Sequence, residues 1–265
     1  MDGISLLDQM SNDLVIPKSR LDRVIANAPH RYKVYDIPKR SGKGRRTIEQ
    51  PAKEVKLLQR WVMRNILCKF DIHSSAKAYI KGKGIFCNAL PHVASKYLIK
   101  LDFKDFFYSI KARDFVKHLS ICNCFDCSEI DVQRLQMILF YDKGGGDYCL
   151  SIGAPSSPLL SNIIMYGFDK SVSDYCCDNN IVYTRYSDDI ALSMSDFSLR
   201  EKAFDKVRQV LSELTYPKLI LNDSKTIFSS KANKRMVTGL VIANEGKVSI
   251  GRDKKILIRS QLYSV

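Results

Sequence analysis

The sequence has no run of roughly eighteen apolar residues, the length a helix needs to cross a bilayer, so a membrane span is not expected. Its first residues, Met1-Asp2-Gly3-Ile4-Ser5, are acidic and polar where a secretory signal carries a basic start and an apolar stretch. The expected compartment is the cytoplasm, where the eight cysteines are thiols rather than disulfides. Cys122, Cys124 and Cys127 lie close enough to raise the question of zinc. A structural zinc site takes four ligands in paired spacing, however, and neither Cys149 nor His118 is an evident fourth. Internal repeats, low-complexity tracts and long linkers are missing too.

Acidic residues are in short supply. The chain carries 28 Asp and Glu against 42 Lys and Arg, a formal net charge of +14. Such a surplus favours a polyanionic partner, because releasing counterions from a phosphate backbone contributes much of the binding free energy; a generally basic protein is the plainer alternative. Arg31, Lys33, Lys39, Arg40, Lys43, Arg45 and Arg46 crowd a stretch that contains Ser41-Gly42-Lys43-Gly44, which reads as a flexible basic loop. Arg46 offers a planar fork and Lys43 a mobile point charge, both suited to phosphates. Lys247, Arg252, Lys254, Lys255 and Arg259 form a second basic stretch, suited to a duplex backbone. With 265 residues and 45% hydrophobic content, the chain can bury the core of one large or two moderate domains.

Tyr186-Ser187-Asp188-Asp189 stands between the apolar runs at 181–183 and 190–192 and reads as the tip of a β-hairpin. Adjacent carboxylates repel by on the order of several kcal/mol when partly desolvated, so a fold that keeps them there is expected to supply a cation. Mg²⁺ fits, and with it phosphoryl transfer. A second cluster, Asp102 and Asp105 within residues 101–108, follows the β-prone residues 97–100, which puts Asp102 at a strand end. Neighbouring side chains on a strand face opposite ways, so Asp188 and Asp189 are not equivalent. The expected bridging pair is Asp102 with Asp188, and Asp189 lies at the periphery. Either cluster alone reads by default as a solvated turn, and the two together are the stronger signal.

Apolar spacing predicts amphipathic helices over 53–70, over 158–175 after Pro158, and over 199–214 before Pro217. Strand-prone segments are 98–101, 181–186, 190–193, 219–221, 237–242 and 248–250. The glycine run within 143–147 reads as a loop or hairpin tip. The expected class is α+β, with helices packed on an antiparallel sheet whose strand ends carry the acids.

The order of several motifs gives a resemblance. Arg46-Thr47-Ile48-Glu49-Gln50-Pro51 looks like a fingers motif that touches an incoming triphosphate, and Leu101 to Phe107 like a first palm motif. Gly153-Ala154-Pro155-Ser156-Ser157-Pro158 with Leu160-Ser161-Asn162 looks like a second palm motif. Tyr186 to Asp189 is a Tyr-x-Asp-Asp box, and Asn222 with Lys225-Thr226 matches a later lysine motif. In this order they resemble the reverse transcriptases. Asn88-Ala89-Leu90-Pro91-His92 and Val237-Thr238-Gly239 match the Asn-Ala-x-x-His and Val-Thr-Gly patterns of the bacterial retron type. Ile152 departs from the pattern, since many reverse transcriptases have glutamine there, and this puts a nucleotide contact at that corner in doubt.

The resemblance implies a right-hand polymerase. Residues 1–95 would be fingers and N-terminal region, residues 96–235 palm with a fingers portion near 112–150, and residues 236–265 the palm end and a thumb that is short or truncated. It implies an RNA-directed DNA polymerase copying part of a cognate structured non-coding RNA into RNA-linked single-stranded DNA with two Mg²⁺ ions. Asp102, Asp188 and Asp189 would be catalytic, joined at the metals by the Phe103 carbonyl. Lys43, Arg46, Phe107, Gly153 and Lys225 would meet the nucleotide, Phe107 as the sugar gate and Lys225 as charge or proton donor to the leaving group. The alternatives from the residues alone are a core phenylalanine and a surface lysine. Asn88, His92, Val237, Thr238 and Gly239 would bind RNA, or else cap a helix, satisfy a buried backbone group and bend a strand. Implied partners are the RNA, the RNA–DNA hybrid and single-stranded DNA product, deoxynucleoside triphosphates and an effector protein in phage defence. Competing readings are a group II intron, diversity-generating or abortive-infection reverse transcriptase, against which the Asn88 and Val237 motifs argue. An idle RNA-binding scaffold is disfavoured by the intact aspartates, and a nucleotidyl cyclase-like palm by the basic loop and lysine motif.

Overall fold

The computed structural model describes residues 5–39, 42, 44–122 and 128–262. The chain forms two units and passes between them repeatedly: residues 1–72, 105–165 and 215–218 make one, and residues 73–104, 166–214 and 219–265 the other.

The first unit opens with helix α1 (Leu6–Leu14), capped by the Ser5 side-chain oxygen, which accepts the Asp8 N–H. Helix α2 (Lys18–Asn27) leads into a hairpin of β1 (Tyr32–Pro38) and β2 (Arg45–Pro51). Helix α3 (Lys53–Asn65) buries Val55, Leu58 and Val62 at helical spacing, together with Trp61. It stops earlier than the expected residue 70 and passes into a short 3₁₀ turn at Leu67–Lys69. The second unit then receives α4 (Ile85–Ala89) and β3 (Tyr97–Asp102).

Back in the first unit follow α5 (Phe106–Ser109), α6 (Ala112–Cys122), α7 (Glu129–Leu139), the hairpin of β4 (Tyr141–Asp142) and β5 (Tyr148–Cys149), and α8 (Ser157–Ile164). The glycine run is the tip of that hairpin, as the sequence suggested. The second unit resumes with α9 (Tyr166–Asp178), β6 (Val182–Tyr186), β7 (Asp189–Met194) and α10 (Leu199–Glu213). It ends with β8 (Ile227–Ser230), β9 (Arg235–Val237), β10 (Leu240–Ile242), β11 (Val248–Ser249) and α11 (Arg252–Leu262). No helix among the described residues is long and apolar enough to cross a membrane.

Three expectations need correction. The helix expected over 158–175 is two helices, α8 and α9, which meet at Met165 and bury their apolar faces in different units. Residues 219–221 form no strand. Only Leu221 bridges, to Phe103, and the place beside β3 goes to β8. Residues 237–242 are a hairpin rather than one strand: Val237 pairs with Leu240, and Thr238 and Gly239 take φ of 46° and 79° in the turn. Left-handed geometry at both central residues matches the twist of the flanking strands, and glycine adopts it without steric cost.

The second unit is built on an antiparallel sheet in the order β6-β7-β3-β8. Ile99 lies between Leu192 and Phe228, and the Phe228 ring meets Phe204 of α10, so the helices cover this face. Strand alternation sends Leu98, Lys100 and Asp102 to the opposite face. There Leu98 and Ala191 pack with Ala89, Val237, Leu240 and Ile242, which come from α4 and the β9–β10 hairpin. One end of that face is thus roofed by apolar residues, and Asp102 lies at the other end.

On the helix-covered face, Phe103 meets the fully buried Phe168 of α9 edge to face, ring centres 5.6 Å apart. Phe168→Ala is expected to lower the unfolding free energy by about 3–5 kcal/mol in urea titration. A loss below about 1 kcal/mol would show that this contact does not anchor α9 to the sheet.

Candidate functional site

Strand β3 ends on Asp102, which the antiparallel register sets directly across from Asp189 at the start of β7. Tyr186 closes the β6–β7 hairpin against Asp189, leaving Ser187 and Asp188 as a two-residue loop. The register therefore puts Asp189, expected at the periphery, opposite Asp102, with Asp188 in the turn. The Phe103 N–H donates to the Asp188 carbonyl at 3.1 Å and fixes the turn against the end of β3. Asp102 is buried, while Asp188 and Asp189 are half-buried.

The charges at this strand end are unbalanced. Burial pushes the Asp189 carboxyl up to about 6, with Asp188 and then Asp102 adding to the shift and Lys100 and Lys225 opposing it. Lys225 lies in a short 3₁₀ turn whose neighbour Asn222 donates its N–H to the Asp102 carbonyl at 2.7 Å. Its ammonium reaches both Asp102 oxygens, at 2.8 and 3.0 Å. That contact raises the lysine pKa first, and the fields of Asp102, Asp188 and Asp189 raise it further. The lysine inferred at the nucleotide thus touches one of the three acids.

The turn itself is held from below. Ser187 has φ of 61°, an uncommon conformation for a residue with a Cβ. Arg185 Nη1 donates to the Ser187 carbonyl at 3.0 Å, and the Tyr79 hydroxyl donates to Ser187 Oγ at 3.1 Å. Arg185 is fully buried and grips Asp169 of α9 with two parallel bonds, Nε to Oδ1 at 2.8 Å and Nη2 to Oδ2 at 2.6 Å. The Tyr183 hydroxyl donates to the same Asp169 at 2.5 Å. Sequence reading passed over this network. Its signal was a charged residue, Arg185, on the same strand face as Tyr183, within a strand otherwise read as apolar.

The RNA-binding expectation meets burial. His92 is fully buried, with one ring nitrogen 2.7 Å from Ser193 Oγ and the other 2.8 Å from Thr184 Oγ1. Asn88 is buried and donates to Thr238 Oγ1 at 3.4 Å, and Val237 belongs to the apolar roof. The two retron-like motifs do come together, but as a brace between α4 and the β9–β10 turn. Asn88, His92 and Val237 are thus interior residues, not surface groups as an RNA contact would require. Thr238 and Gly239 are half-buried.

In the first unit, Arg46 is exposed on β2, and Phe107 is half-buried on α5 with its ring against Phe106. Lys43 lies outside the described residues. Gly153 has φ of 133°, and a Cβ there would stand 2.8 Å from the Glu49 carbonyl oxygen. Glu49, quoted above only within its motif, is the organiser of this corner. Its buried carboxylate accepts the Tyr108 hydroxyl at 2.5 Å and the Ile152 N–H at 3.0 Å, while its own N–H donates to the Ile152 carbonyl. Residue 152 thus contributes its backbone to this corner.

Hard oxygen donors with surplus negative charge suit a divalent ion, and the upward shift at Asp189, set first by burial and then by its acidic neighbours, is one that a cation would relieve. Among the described residues no three His, Cys, Asp or Glu side chains stand gathered as a ready ligand set, and Lys225 occupies Asp102. The donor chemistry fits a cation that displaces or shares with the lysine. Cys124 and Cys127 lie outside the described residues. Cys122 Sγ is 3.1 Å from His118 Nε2, whose other nitrogen faces the Tyr216 hydroxyl at 3.2 Å, and Cys149 is buried.

Residues 37–242 match the family described as reverse transcriptase (RNA-dependent DNA polymerase). The chain is 39% identical over 235 residues to the Retron Ec83 reverse transcriptase of Escherichia coli, covering 88% of this chain and 75% of that protein. It is 34% identical over 260 residues to the Retron Ec86 reverse transcriptase of the same organism, covering 98% and 78%. Among solved structures, the apo telomerase of Candida tropicalis truncated from its C-terminal domain aligns with TM-score 0.53 at 15% identity, over 91% of this chain and 60% of that one. Candida albicans telomerase aligns with TM-score 0.55 at 13% identity, over 83% and 46%. At such identities the telomerases speak to the fold alone, and the fold they share is the α+β right hand.

The buried imidazole makes stability depend on pH. Burial, with Lys77 adding, pushes His92 down to about 4 from its ordinary 6.5. Between these values the unfolded chain binds the proton and the folded chain does not, so stability rises with pH across the window and is lost as pH falls from about 6.5 to 4. The loss attributable to His92 is expected to approach about 3 kcal/mol. Urea titrations of the wild type and His92→Gln at several pH values check this. The variant is expected to show a shallower slope, and identical slopes would mean that His92 is not held neutral.

Proposed function

The chain belongs to the reverse transcriptases and, within them, to the retron type, and from that premise we propose that it copies part of a cognate structured non-coding RNA into RNA-linked single-stranded DNA. Its activity class is RNA-directed DNA polymerase. The observation that carries the mechanistic reading is the meeting of Asp102, Asp189 and the Asp188 turn at one strand end, with Lys225 drawn onto Asp102.

In this reading Asp102, Asp188 and Asp189, with the Phe103 carbonyl, hold two Mg²⁺ ions. When bound, divalent ions supply Lewis-acid activation of a primer hydroxyl and neutralise charge on the triphosphate. The residues do the positioning. Asp102 stands at the end of a buried strand, so its carboxylate has little freedom, and the paired Asp189 shares that rigidity. Lys225, protonated and held by Asp102, is placed to carry a proton or positive charge towards a leaving pyrophosphate once an ion takes over the acids. Arg46 would take phosphate oxygens as a fork, and Lys43 would add a mobile charge. Gly153 keeps the backbone of its loop close to β2, where a side chain would strike the Glu49 carbonyl. Phe107 would exclude a ribose 2′-hydroxyl.

The partners in this reading are the structured RNA, its hybrid with DNA, the single-stranded DNA product and deoxynucleoside triphosphates. The net charge of +14 supports polyanion binding, with exposed Arg45, Arg46, Lys254 and Lys255 among the groups available for it. An effector protein and a role in phage defence complete the retron reading, with the cytoplasm as its compartment.

Asp188→Asn is expected to reduce the rate of DNA synthesis on a primed RNA template at least about a hundredfold while leaving RNA affinity within about twofold, because it removes a charge needed in the transition state. Near-normal primer extension would sink the metal assignment. Phe107→Ala is expected to raise ribonucleotide over deoxynucleotide incorporation at least about tenfold in a competition assay. Unchanged discrimination in a folded variant would make Phe107 a packing residue only.

A further inference from the structure

Beneath the catalytic turn lies a polar network that the reaction as described does not use. Asp169 and Arg185 are both fully buried, on α9 and β6, and bind each other through two parallel bonds. An ion pair this dry gives little net stability, because desolvating both charges offsets most of their attraction. Its geometry has a more specific consequence. With Nε and Nη2 committed to Asp169, the guanidinium plane is fixed, and Nη1 reaches the Ser187 carbonyl. Ser187 is the first loop residue of the hairpin and holds φ of 61°, a conformation that serine does not favour by itself. A second tether, the Tyr79 hydroxyl, meets Ser187 Oγ from another segment. The residue after Ser187 is Asp188, and the next is Asp189.

We propose that Asp169 and Arg185 are positioning residues: the buried pair clamps the Ser187 carbonyl and so sets where Asp188 and Asp189 stand relative to Asp102. The pair meets the turn at the Ser187 carbonyl. It acts through the backbone of the turn, and because it is internally neutral it leaves the negative charge of the acids intact. The inference rests on the reading of those acids as ligands of divalent ions.

Arg185→Lys keeps the charge that Asp169 needs, but a single ammonium cannot hold both Asp169 oxygens and the Ser187 carbonyl in one plane. Tyr79→Phe removes the hydroxyl that forms the second tether and leaves the Arg185 clamp in place. Each variant is to be compared with wild type in four measurements: thermal midpoint, Mn²⁺ binding by calorimetry without nucleotide or primer, kcat against KM for a deoxynucleotide, and affinity for structured RNA. At temperatures where it is folded, Arg185→Lys is expected to weaken Mn²⁺ binding and lower kcat each by about tenfold or more, with KM and RNA affinity nearly unchanged. Raising the metal concentration should recover part of the kcat. Tyr79→Phe is expected to shift both in the same direction by about threefold, and it decides the matter if Arg185→Lys does not fold. A lower thermal midpoint with wild-type Mn²⁺ binding and kcat in the folded variant would overturn the positioning role. So would unchanged values in Tyr79→Phe, should that be the only folded variant. Full synthesis by Asp188→Asn would overturn the metal reading itself, a separate result.

Discussion

The antiparallel register of β3 against β7 pairs Leu98 with Ser193, Lys100 with Ala191 and Asp102 with Asp189. Side chains on a strand alternate between faces, so a slip of one residue would carry Asp189 to the helix-covered side and push Ile190 and Leu192 onto the other. Two features fix the register. Ile99, Leu101, Ile190 and Leu192 are buried together on one face, and the two-residue loop at Ser187 and Asp188 leaves no slack. The Phe103 N–H, bonded to the Asp188 carbonyl, ties the turn to the residue after Asp102. The meeting of acids that are distant in sequence follows from hydrophobic alternation, and no attraction between them is required.

The same alternation separates two kinds of charge. Asp102 and Asp189 share one face, where Lys100 and Lys225 oppose their mutual repulsion. Tyr183 and Arg185 occupy the other, where Asp169 meets them from α9. An unpaired arginine beneath the turn would lower the potential that draws a cation to the acids. Paired with Asp169, it keeps its directional hydrogen bond to Ser187 and contributes little net field. In the proposed reading the acids keep their attraction for a cation while the backbone of the turn is held.

How much of this was legible in the sequence depended on whether the signal was local. The Tyr186 to Asp189 turn, the end of β3 at Asp102, the glycine-rich hairpin tip and α10 each followed from residues within a few positions of one another. The break between α8 and α9 did not, because the apolar spacing continues across Met165 and only the division between units distinguishes the two faces. Strand β8 was missed because Ile227–Ser230 is short, with exposed Ile227 and Phe228, and its strand character comes from pairing with β3. The roles of Glu49 and Asp169 were invisible for a related reason. A buried carboxylate is defined by its partners, and Tyr108, Ile152 and Arg185 lie far from them along the chain.

Burial also separates what a motif identifies from what its residues do. Asn88, His92 and Val237 pointed to the retron type, yet their side chains lie in the interior, so the motif marks a brace beside the sheet. The same test trims the charge argument. Arg185 is neutralised by Asp169 and adds little to the field felt by a polyanion, whereas Arg235, also buried, gives its bond to the uncharged Ser95 carbonyl and keeps its charge. Exposed positive charge includes that on the β1–β2 hairpin, with Lys33, Lys39, Arg45 and Arg46, and on α11, with Arg252, Lys254, Lys255 and Arg259. Counterion release scales with phosphates neutralised at such surfaces rather than with net charge. In the proposed reading these two elements contribute to the salt dependence of RNA binding, and the acids at the end of β3 would carry the chemistry.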